Sequence, residues 1–345
     1  MLQYKINKKI WIPLCTLMFL CGAVCIGAKM YRYDHRIVEA NKEYITWVDF
    51  KVTQNCMKEA CRIDVETYEQ PIHCNWIELL AYAAAKTGGE FKKEKQAVKY
   101  IEEAKKKLVE EGQTVSQWEK DLKYYAYYEE AYQAVLGGFI GTYSIDGKDQ
   151  YGLKAFSPIA KGFPFQHYDD FGVSRSYGYK RQHLGHDMMG QIGTPVIAIE
   201  SGYVEALGWN QYGGWRIGIR SDDKKRYYYY AHLRQNRPFA EGLEQGGRVT
   251  AGDVIGYLGH TGYSTTENVN NIQTPHLHVG IELIFDESQK DSNNEIWIDC
   301  YEIVKFLQAN QSEVIRNDHT KEWTRKYQMT EKNEKKMNKM PTKSQ

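Results

Sequence analysis

The sequence has no excess of charge of either sign, no cysteine pair with metal-ligand spacing, and no nucleophile elbow. Its 345 residues contain 45 Lys and Arg against 44 Asp and Glu, so the net charge gives no reason to expect nucleic acid as a partner. None of the seven cysteines stands in a Cys-x-x-Cys pair, which argues against a cysteine-based structural zinc site. Cys56 and Cys61 are close enough to pair in an oxidising compartment, although spacing alone does not fix the pairing. The absence of a serine or cysteine elbow gives no support to a covalent mechanism.

The N-terminal part of the chain carries a long apolar run. Residues 10–28 contain no charged side chain and follow three lysines. Nineteen residues in a helix span roughly 28 Å, about the thickness of the hydrocarbon core of a bilayer. We expect residues 1–9 to be a short basic cytoplasmic N-terminus and residues 10–28 to be a transmembrane signal anchor. The alternative is a signal peptide cleaved after Ala28.

Residues 37–140 are predicted to form a small α-helical domain. Asn75 with Glu78, and Thr114 with Gln117, have the spacing of helix-capping boxes. Each of these predicted helix starts is followed by a run of apolar and aromatic residues, and a pair of glycines ends each run. The simplest interpretation is a helical domain whose apolar rows form its core.

The rest of the chain divides into three segments by composition. Residues 141–165, with glycine, proline and short polar stretches, are predicted to be a linker. Residues 166–310 alternate short apolar runs with glycines, which is typical of antiparallel strands in a sandwich or barrel-like fold. Residues 316–345 are rich in lysine and asparagine and are expected to be a disordered basic tail. The predicted fold class is therefore multidomain, with a transmembrane helix, a helical domain and a mainly antiparallel β catalytic domain.

Two short motifs about ninety residues apart concentrate the metal-binding side chains. They are His183-Leu-Gly-His-Asp187 and Pro275-His276-Leu-His278. Residues at i and i+2 of a strand point to the same face, so His276 and His278 are expected to project into one cavity. Two imidazoles and one carboxylate that converge there would form a three-ligand zinc site with an open fourth position, the arrangement of catalytic zinc. The pattern predicts a zinc hydrolase.

Five ordered motifs between residues 171 and 285 resemble those of the M23, or lysostaphin/LytM-type, zinc endopeptidases. They are His183-Leu-Gly-His-Asp187, Glu200-Ser-Gly-Tyr-Val204, Tyr230-Ala-His-Leu233, the Gly-rich stretch from Gly252 to Thr265, and Thr274-Pro-His-Leu-His278. The resemblance implies a LytM-like β-sandwich that binds one Zn²⁺. Applied residue by residue, it implies that the metal ligands are His183, Asp187 and His278.

The same resemblance implies roles for residues that do not bind the metal. His232 and His276 correspond to the catalytic histidines that act on the water and on the developing oxyanion. Tyr177 lies where a transition-state tyrosine is expected, with Tyr179 as its competitor. His186 is predicted to point away from the site, by strand alternation.

The implied function is a zinc-dependent endopeptidase that hydrolyses peptide bonds in peptidoglycan stem peptides or cross-bridges by a metal-activated water. The implied location is a bacterial cell membrane, which residues 10–28 would span once, with the catalytic domain extracytoplasmic. One alternative is a non-cleaving LytM-type scaffold or activator in cell-wall remodelling, division or sporulation, which would act on a protein partner. Another is a peptidase that acts on secreted proteins. Nucleic acid is not an expected partner of any of them.

Overall fold

The computed structural model describes residues 45–176, 180–290 and 294–331. Residues from Val48 onward form one compact unit, in which a layer of helices precedes a region of antiparallel strands. The predicted anchor at residues 10–28 lies outside the described residues. Among the helices within them, none is long and apolar enough to cross a bilayer.

Six α-helices occur in the described part of the chain, five of them before the β region. They are α1 (Gln54–Thr67), α2 (Trp76–Thr87), α3 (Glu94–Val109), α4 (Val115–Asp121), α5 (Tyr125–Leu136) and α6 (Tyr301–Leu307). Asn75 caps α2 through its side-chain oxygen, and Gly88 ends that helix in the left-handed conformation. Thr114 and Gln117 form the predicted capping box of α4. The long helix expected to follow is interrupted, because Tyr124 has a φ of 67° and the chain restarts as α5.

Seventeen strands are found in the same residues, and every pairing between them is antiparallel. They are β1 (Ile140–Ile145), β2 (Lys148–Leu153), β3 (Phe165–Tyr168), β4 (Ser174–Ser176), β5 (Lys180–Gln182), β6 (His186–Gly190), β7 (Pro195–Ile197), β8 (Gly202–Asn210), β9 (Gly214–Ser221), β10 (Arg226–Ala231), β11 (Arg248–Val249), β12 (Val254–Tyr257), β13 (His276–Leu283), β14 (Ile296–Ile298), β15 (Val314–Arg316), β16 (Trp323–Arg325) and β17 (Met329–Glu331).

The largest sheet of the described residues has eight strands. Its order is β11, β8, β9, β10, β13, β6 and β3, with β14 paired to β13. The strands thus collect in one large sheet with smaller two- and three-stranded sheets, which confirms the prediction of a mainly antiparallel β region. Alternation along β13 sends Leu277 and Val279 into the core and leaves His278 and Gly280 on the opposite face. The apolar face of the sheet is therefore covered, and the other face is available for a site.

The helices share the core on the covered side of the sheet. Trp76 of α2 contacts Phe306 of α6, with ring centroids 5.9 Å apart. Fully buried Arg226 on β10 donates to the Ala134 carbonyl of α5 at 2.7 Å and to both oxygens of Glu200 at 2.8 and 2.9 Å. The helical and β segments were expected to be separate domains. They instead form a common core.

Two segments that were expected to be irregular contain strands. Within the expected linker, residues 141–165, strands β1 and β2 form a hairpin around Asp146 and Gly147, whose φ values are 48° and 78°. Within the expected disordered tail, residues 316–345, strand β16 pairs with β15 and β17 pairs with β1. Met329 anchors this part of the chain because its side chain is 3% exposed in a small apolar cluster. The remainder of the tail lies outside the described residues.

The cysteines give no support to a Cys56–Cys61 bridge. Both residues lie on α1, five positions apart, which separates them by about 140° around the helix. Their thiols are free, as are those of Cys74 and Cys300.

Candidate metal centre

Three polar side chains converge where β6 pairs with β13. Asp187 and His278 lie directly opposite each other in that pairing. His183 precedes β6, and its backbone makes hydrogen bonds with residues 172 and 173. His183 Nε2 lies 3.1 Å from Asp187 Oδ1 and 2.8 Å from His278 Nδ1, and the latter two atoms are 3.0 Å apart. The three side chains predicted as metal ligands therefore meet at one point.

The geometry of this cluster fits a zinc ion. Ligand atoms about 2.0 Å from a tetrahedral zinc lie about 3.3 Å from one another, close to the separations observed here. Two imidazole nitrogens and one carboxylate oxygen are a donor set of catalytic zinc, and they leave a fourth position open. The ligand side chains are also shielded from solvent, since His183 and Asp187 are 3% and 1% exposed. Nitrogen lone pairs that face each other in such a place repel unless a cation or a proton lies between them.

A carboxylate and a guanidinium support the cluster from behind. Asp170 Oδ1 lies 2.8 Å from His183 Nδ1, on the side of the ring away from the cluster. Arg175 donates to Asp187 Oδ2 at 2.7 Å and also contacts Asp170. Burial alone would raise the pKa of Asp187, but its hydrogen bonds with His183 and His278 hold that pKa below its usual value. The carboxylate is thus ionised and oriented, although neither Asp170 nor Arg175 stands in a motif that predicts a role.

Gly185 is required by the packing of this cluster. A Cβ at this position would lie 2.5 Å from two ring atoms of His278 and 2.7 Å from the carbonyl oxygen of Val279. No side chain fits there without displacing the imidazole. The glycine of the His183 motif therefore has a steric role in placing the ring on the facing strand.

Two further histidines, His232 and His276, lie beside the cluster with their rings 4.8 Å apart between centroids. His232 Nδ1 lies 2.9 Å from the carbonyl oxygen of Thr261, and His276 Nδ1 lies 2.8 Å from that of Thr274. A carbonyl oxygen only accepts, so in both rings Nδ1 carries a proton, and Nε2 is the nitrogen left to exchange one. Nε2 of His276 is buried without a hydrogen bond, 3.6 Å from Asp187 Oδ2.

His232 is held in an unusual state by its surroundings. It is 3% exposed and has a φ of 62°, an uncommon conformation for a residue with a side chain. Burial, with the neighbouring histidines, lowers its pKa well below the usual value, so the ring is neutral. A neutral buried imidazole with a free Nε2 can accept a proton.

The other sequence-predicted residues divide into two groups. His186 points to the opposite face of β6, as predicted, where its Nε2 lies 2.8 Å from Nδ1 of His167. Burial lowers the pKa of His186 to about 3, so it is a neutral structural residue. Tyr177 and its competitor Tyr179 lie outside the described residues.

A groove extends from the cluster across the polar face of the large sheet. It is a cavity of about 660 Å³ whose lining includes His183 and His278 at one end and Glu282 farther along β13. Gly218 on β9 and Gly280 on β13 leave room for the rings of Tyr227 and Trp297, two of the residues that line the cavity. The metal-binding cluster thus lies at one end of a cleft that can hold an extended chain.

An antiparallel sheet thus carries a His-Asp-His cluster, two further histidines beside it and a cleft leading away. Residues 181–292 match the family described as peptidase family M23. The chain contains an M23 domain and is homologous to the lysostaphin/LytM-type peptidases.

Two curated relatives and one solved structure document this likeness. The chain is 36% identical over 147 residues to the L-Ala--D-Glu endopeptidase of Bacillus subtilis (strain 168), a match that covers 43% of each chain. It is 40% identical over 97 residues to lysostaphin of Staphylococcus simulans, covering 28% of this chain and 17% of that protein. The chain thus spans less than half the length of these relatives. A crystal structure of a lytM protein from Ruminococcus gnavus shares the fold, with a TM-score of 0.50 at 22% identity over 75% of this chain and 89% of that one.

Proposed function

We propose that this protein is a zinc-dependent endopeptidase that hydrolyses peptide bonds in peptidoglycan stem peptides or cross-bridges. The observation that carries the proposal is the convergence of His183, Asp187 and His278 beside two imidazoles, each with its Nδ1 bonded to a backbone carbonyl. The relatives support the substrate class, because one is named an L-Ala--D-Glu endopeptidase and another a glycyl-glycine endopeptidase.

His183, Asp187 and His278 would hold the ion. Bound there, zinc supplies Lewis-acid activation of a water molecule and of the scissile carbonyl. Arg175 and Asp170 keep the ligands oriented, since partners behind the metal ligands fix tautomer and ring position. The open side of the cluster leaves room for substrate and water.

The two remaining histidines move protons. Nε2 of either ring, when it is unprotonated, can take the proton of the attacking water, since Nδ1 is committed to a backbone carbonyl. The imidazolium that results can donate to the tetrahedral oxyanion or to the leaving amine. Two imidazoles 4.8 Å apart between centroids allow one to act as the base while the other donates. In this proposal His232 and His276 are the catalytic residues, with Tyr177 as an additional donor.

The proposal places the peptidase domain outside the cytoplasm, where peptidoglycan is found. Residues 10–28 would anchor the chain in a bacterial membrane as a single span. The helical layer then connects the anchor to the peptidase domain. Replacing residues 1–28 with a cleavable export signal and assaying membrane association would test this arrangement, because an anchored protein becomes soluble and a protein held by its domains does not.

Zinc content and muropeptide release by the full chain test the catalytic proposal. We expect one zinc per chain and new peptide termini from isolated sacculi, both lost in His278→Ala. His319→Ala is the matched control, since His319 is exposed and lies outside the cluster. His232→Ala and His276→Ala should retain zinc but lose about 10² to 10⁴ in kcat. Casein as a second substrate separates a wall enzyme from a peptidase of secreted proteins.

Three results would contradict the proposal. Zinc bound at the expected stoichiometry, with no cleavage of several wall types, would favour the non-cleaving scaffold or activator. Activity that survives both histidine variants would remove them from the catalytic role. A protein that binds no zinc would refute the assignment of the ligands.

A further inference from the structure

The groove that begins at the metal-binding cluster contains a carboxylate without a partner. Glu282 lies on the polar face of β13, four residues beyond His278, and lines the same cavity. Its side chain is well buried, with 5% of the residue exposed, and its Oε1 makes no hydrogen bond. A buried carboxylate in that state is unfavourable, and native proteins rarely retain one without a function. A ligand bound in the cavity that Glu282 faces could supply the missing partner.

Aromatic side chains stand on both sides of this carboxylate. Tyr227 on β10 and Trp297 on β14 are its direct cross-strand neighbours, so all three side chains lie on the same face of the sheet. The tyrosine ring extends over Gly218 and the indole over Gly280, where a Cβ would collide with each ring. A carboxylate flanked by two aromatic rings is the chemistry that recognises an ammonium group, through an ion pair and cation–π contacts.

The basic residues near Glu282 are engaged with other groups. Arg220 donates to Glu205 at 2.8 Å, and Lys290 forms an ion pair with the same carboxylate. Glu295 adds negative charge beside Glu282. Among the described residues, Glu282 forms no ion pair with any lysine or arginine. Arg216, whose Nη1 has no hydrogen bond, lies toward the metal-binding end of the groove, since its neighbour Ile217 pairs with Tyr230 and the next residue, Ala231, pairs with His278. The end of the groove at Glu282 therefore favours a cation.

We infer that Glu282 is a specificity residue that binds a primary ammonium group of the peptide substrate. The inference rests on the proposed endopeptidase function. Four residues of strand place Glu282 about 13 Å from His278, a distance that an extended peptide covers in about four residues. The ammonium group belongs either to the side chain of a diamino acid or to the free N-terminus of the peptide.

Four peptides of one stem-peptide sequence test this assignment with the zinc-loaded full chain. The first has both amines free, two have one amine acetylated, and the last has both acetylated. For the wild type we expect acetylation of one amine to raise KM about 10- to 100-fold with little change in kcat, since a charged hydrogen bond is lost. In Glu282→Gln that difference should fall to about twofold or less. The amine whose acetylation matters identifies the source of the ammonium group.

Glu287→Gln is the matched control. Glu287 carries a carboxylate near the same end of the groove, but its side chain is 69% exposed and ion-paired to Lys290. This variant should discriminate between the peptides as the wild type does. Discrimination that persists in Glu282→Gln, or a wild type that treats all four peptides alike, would overturn the inference.

Binding separates this inference from the proposed function. The dissociation constants of the four peptides are measured by calorimetry for His232→Ala and for the double variant His232→Ala/Glu282→Gln. If the wild type cleaves none of the peptides, the proposed function fails, and the calorimetry still decides the inference. An affinity that depends on the free amine and is lost with Glu282 supports it, and equal affinities for all peptides refute it.

Discussion

Replacing Glu282 by glutamine should stabilise the ligand-free protein as the pH rises. Burial, with the nearby charges of Glu295 and Glu205, raises the pKa of this carboxyl from 4.5 to about 8, while Arg220 and Lys290 oppose the shift. Below pH 4.5 the group is protonated in the folded and the unfolded chain, so its contribution to stability is fully present there. Between pH 4.5 and about 8 the unfolded chain ionises and the folded one does not, so that stability is lost.

The size of the effect follows from the difference between the pKa of Glu282 in the unfolded chain and its pKa in the folded one. Each unit of pKa difference corresponds to about 1.4 kcal/mol, so the wild type should lose about 3 to 5 kcal/mol of unfolding free energy across the window through this one group. Glutamine has the same shape and does not titrate. The free energy of unfolding of Glu282→Gln relative to the wild type should therefore rise by about that amount from acid to mildly alkaline pH.

Urea denaturation at several pH values between 4.5 and 8.5 measures this difference. Both proteins are treated with chelator so that metal binding does not contribute, and all other titrating groups cancel in the comparison. Glu287→Gln should show no pH-dependent difference from the wild type, because its carboxylate is exposed. A Glu282→Gln variant whose relative stability is the same at both ends of the range would refute the burial argument, and one that is less stable at high pH would reverse it.

Three further substitutions test the cluster and the shared core. Gly185→Ala should weaken zinc binding at least tenfold in a chelator competition, because a methyl group there displaces His278; unchanged affinity would show that the strand yields instead. Arg175→Ala should lower zinc affinity about 10- to 100-fold, because it frees Oδ2 of Asp187, and Arg175→Lys should recover part of the loss. An affinity of Arg175→Ala equal to that of the wild type would rule out a supporting role. Arg226→Met should reduce the free energy of unfolding by about 3 to 5 kcal/mol in urea denaturation, because it leaves Glu200 buried without its cation. The double variant with Glu200→Met should lose less, and a loss as large as the sum of the single losses would contradict the ion-pair explanation.

Strand periodicity predicted only part of the metal-binding site, and the full ligand set of His183, Asp187 and His278 came from the resemblance to the M23 endopeptidases. His276 and His278 are two apart on one strand, and the antiparallel register then puts Asp187 opposite the second histidine. The same periodicity places Gly280 and Glu282 on the same face of the strand as His278. Nothing in the spacing, however, shows that the carboxylate of Glu282 lacks a partner. That property depends on side chains from three other strands.

The supporting residues and two structured segments were not predicted, for different reasons. Asp170 and Arg175 belong to no motif. Their role depends on how the loop before β4, with Asp170, and β4 itself, with Arg175, pack against Asp187. The Asp146-Gly147 pair is a strong sequence signal for a tight hairpin, but the linker prediction rested on composition and did not use it, so β1 and β2 were missed. The segment around β16 and β17 has few apolar residues, so composition predicted disorder, whereas pairing of β17 with β1 orders it.

Three departures from ordinary folding rules occur along one face of the large sheet. His232 adopts a left-handed conformation, Nε2 of His276 lacks a hydrogen bond, and Glu282 is buried without a partner. Each is unfavourable by itself, and such features persist only where the surrounding structure enforces them. On the opposite face, Arg226 and Glu200 are paired inside the core that the helices share with the sheet. Because the unfavourable groups follow the groove from the metal-binding cluster to Glu282, one extended ligand that passes along β13 explains all of them better than a separate cause for each.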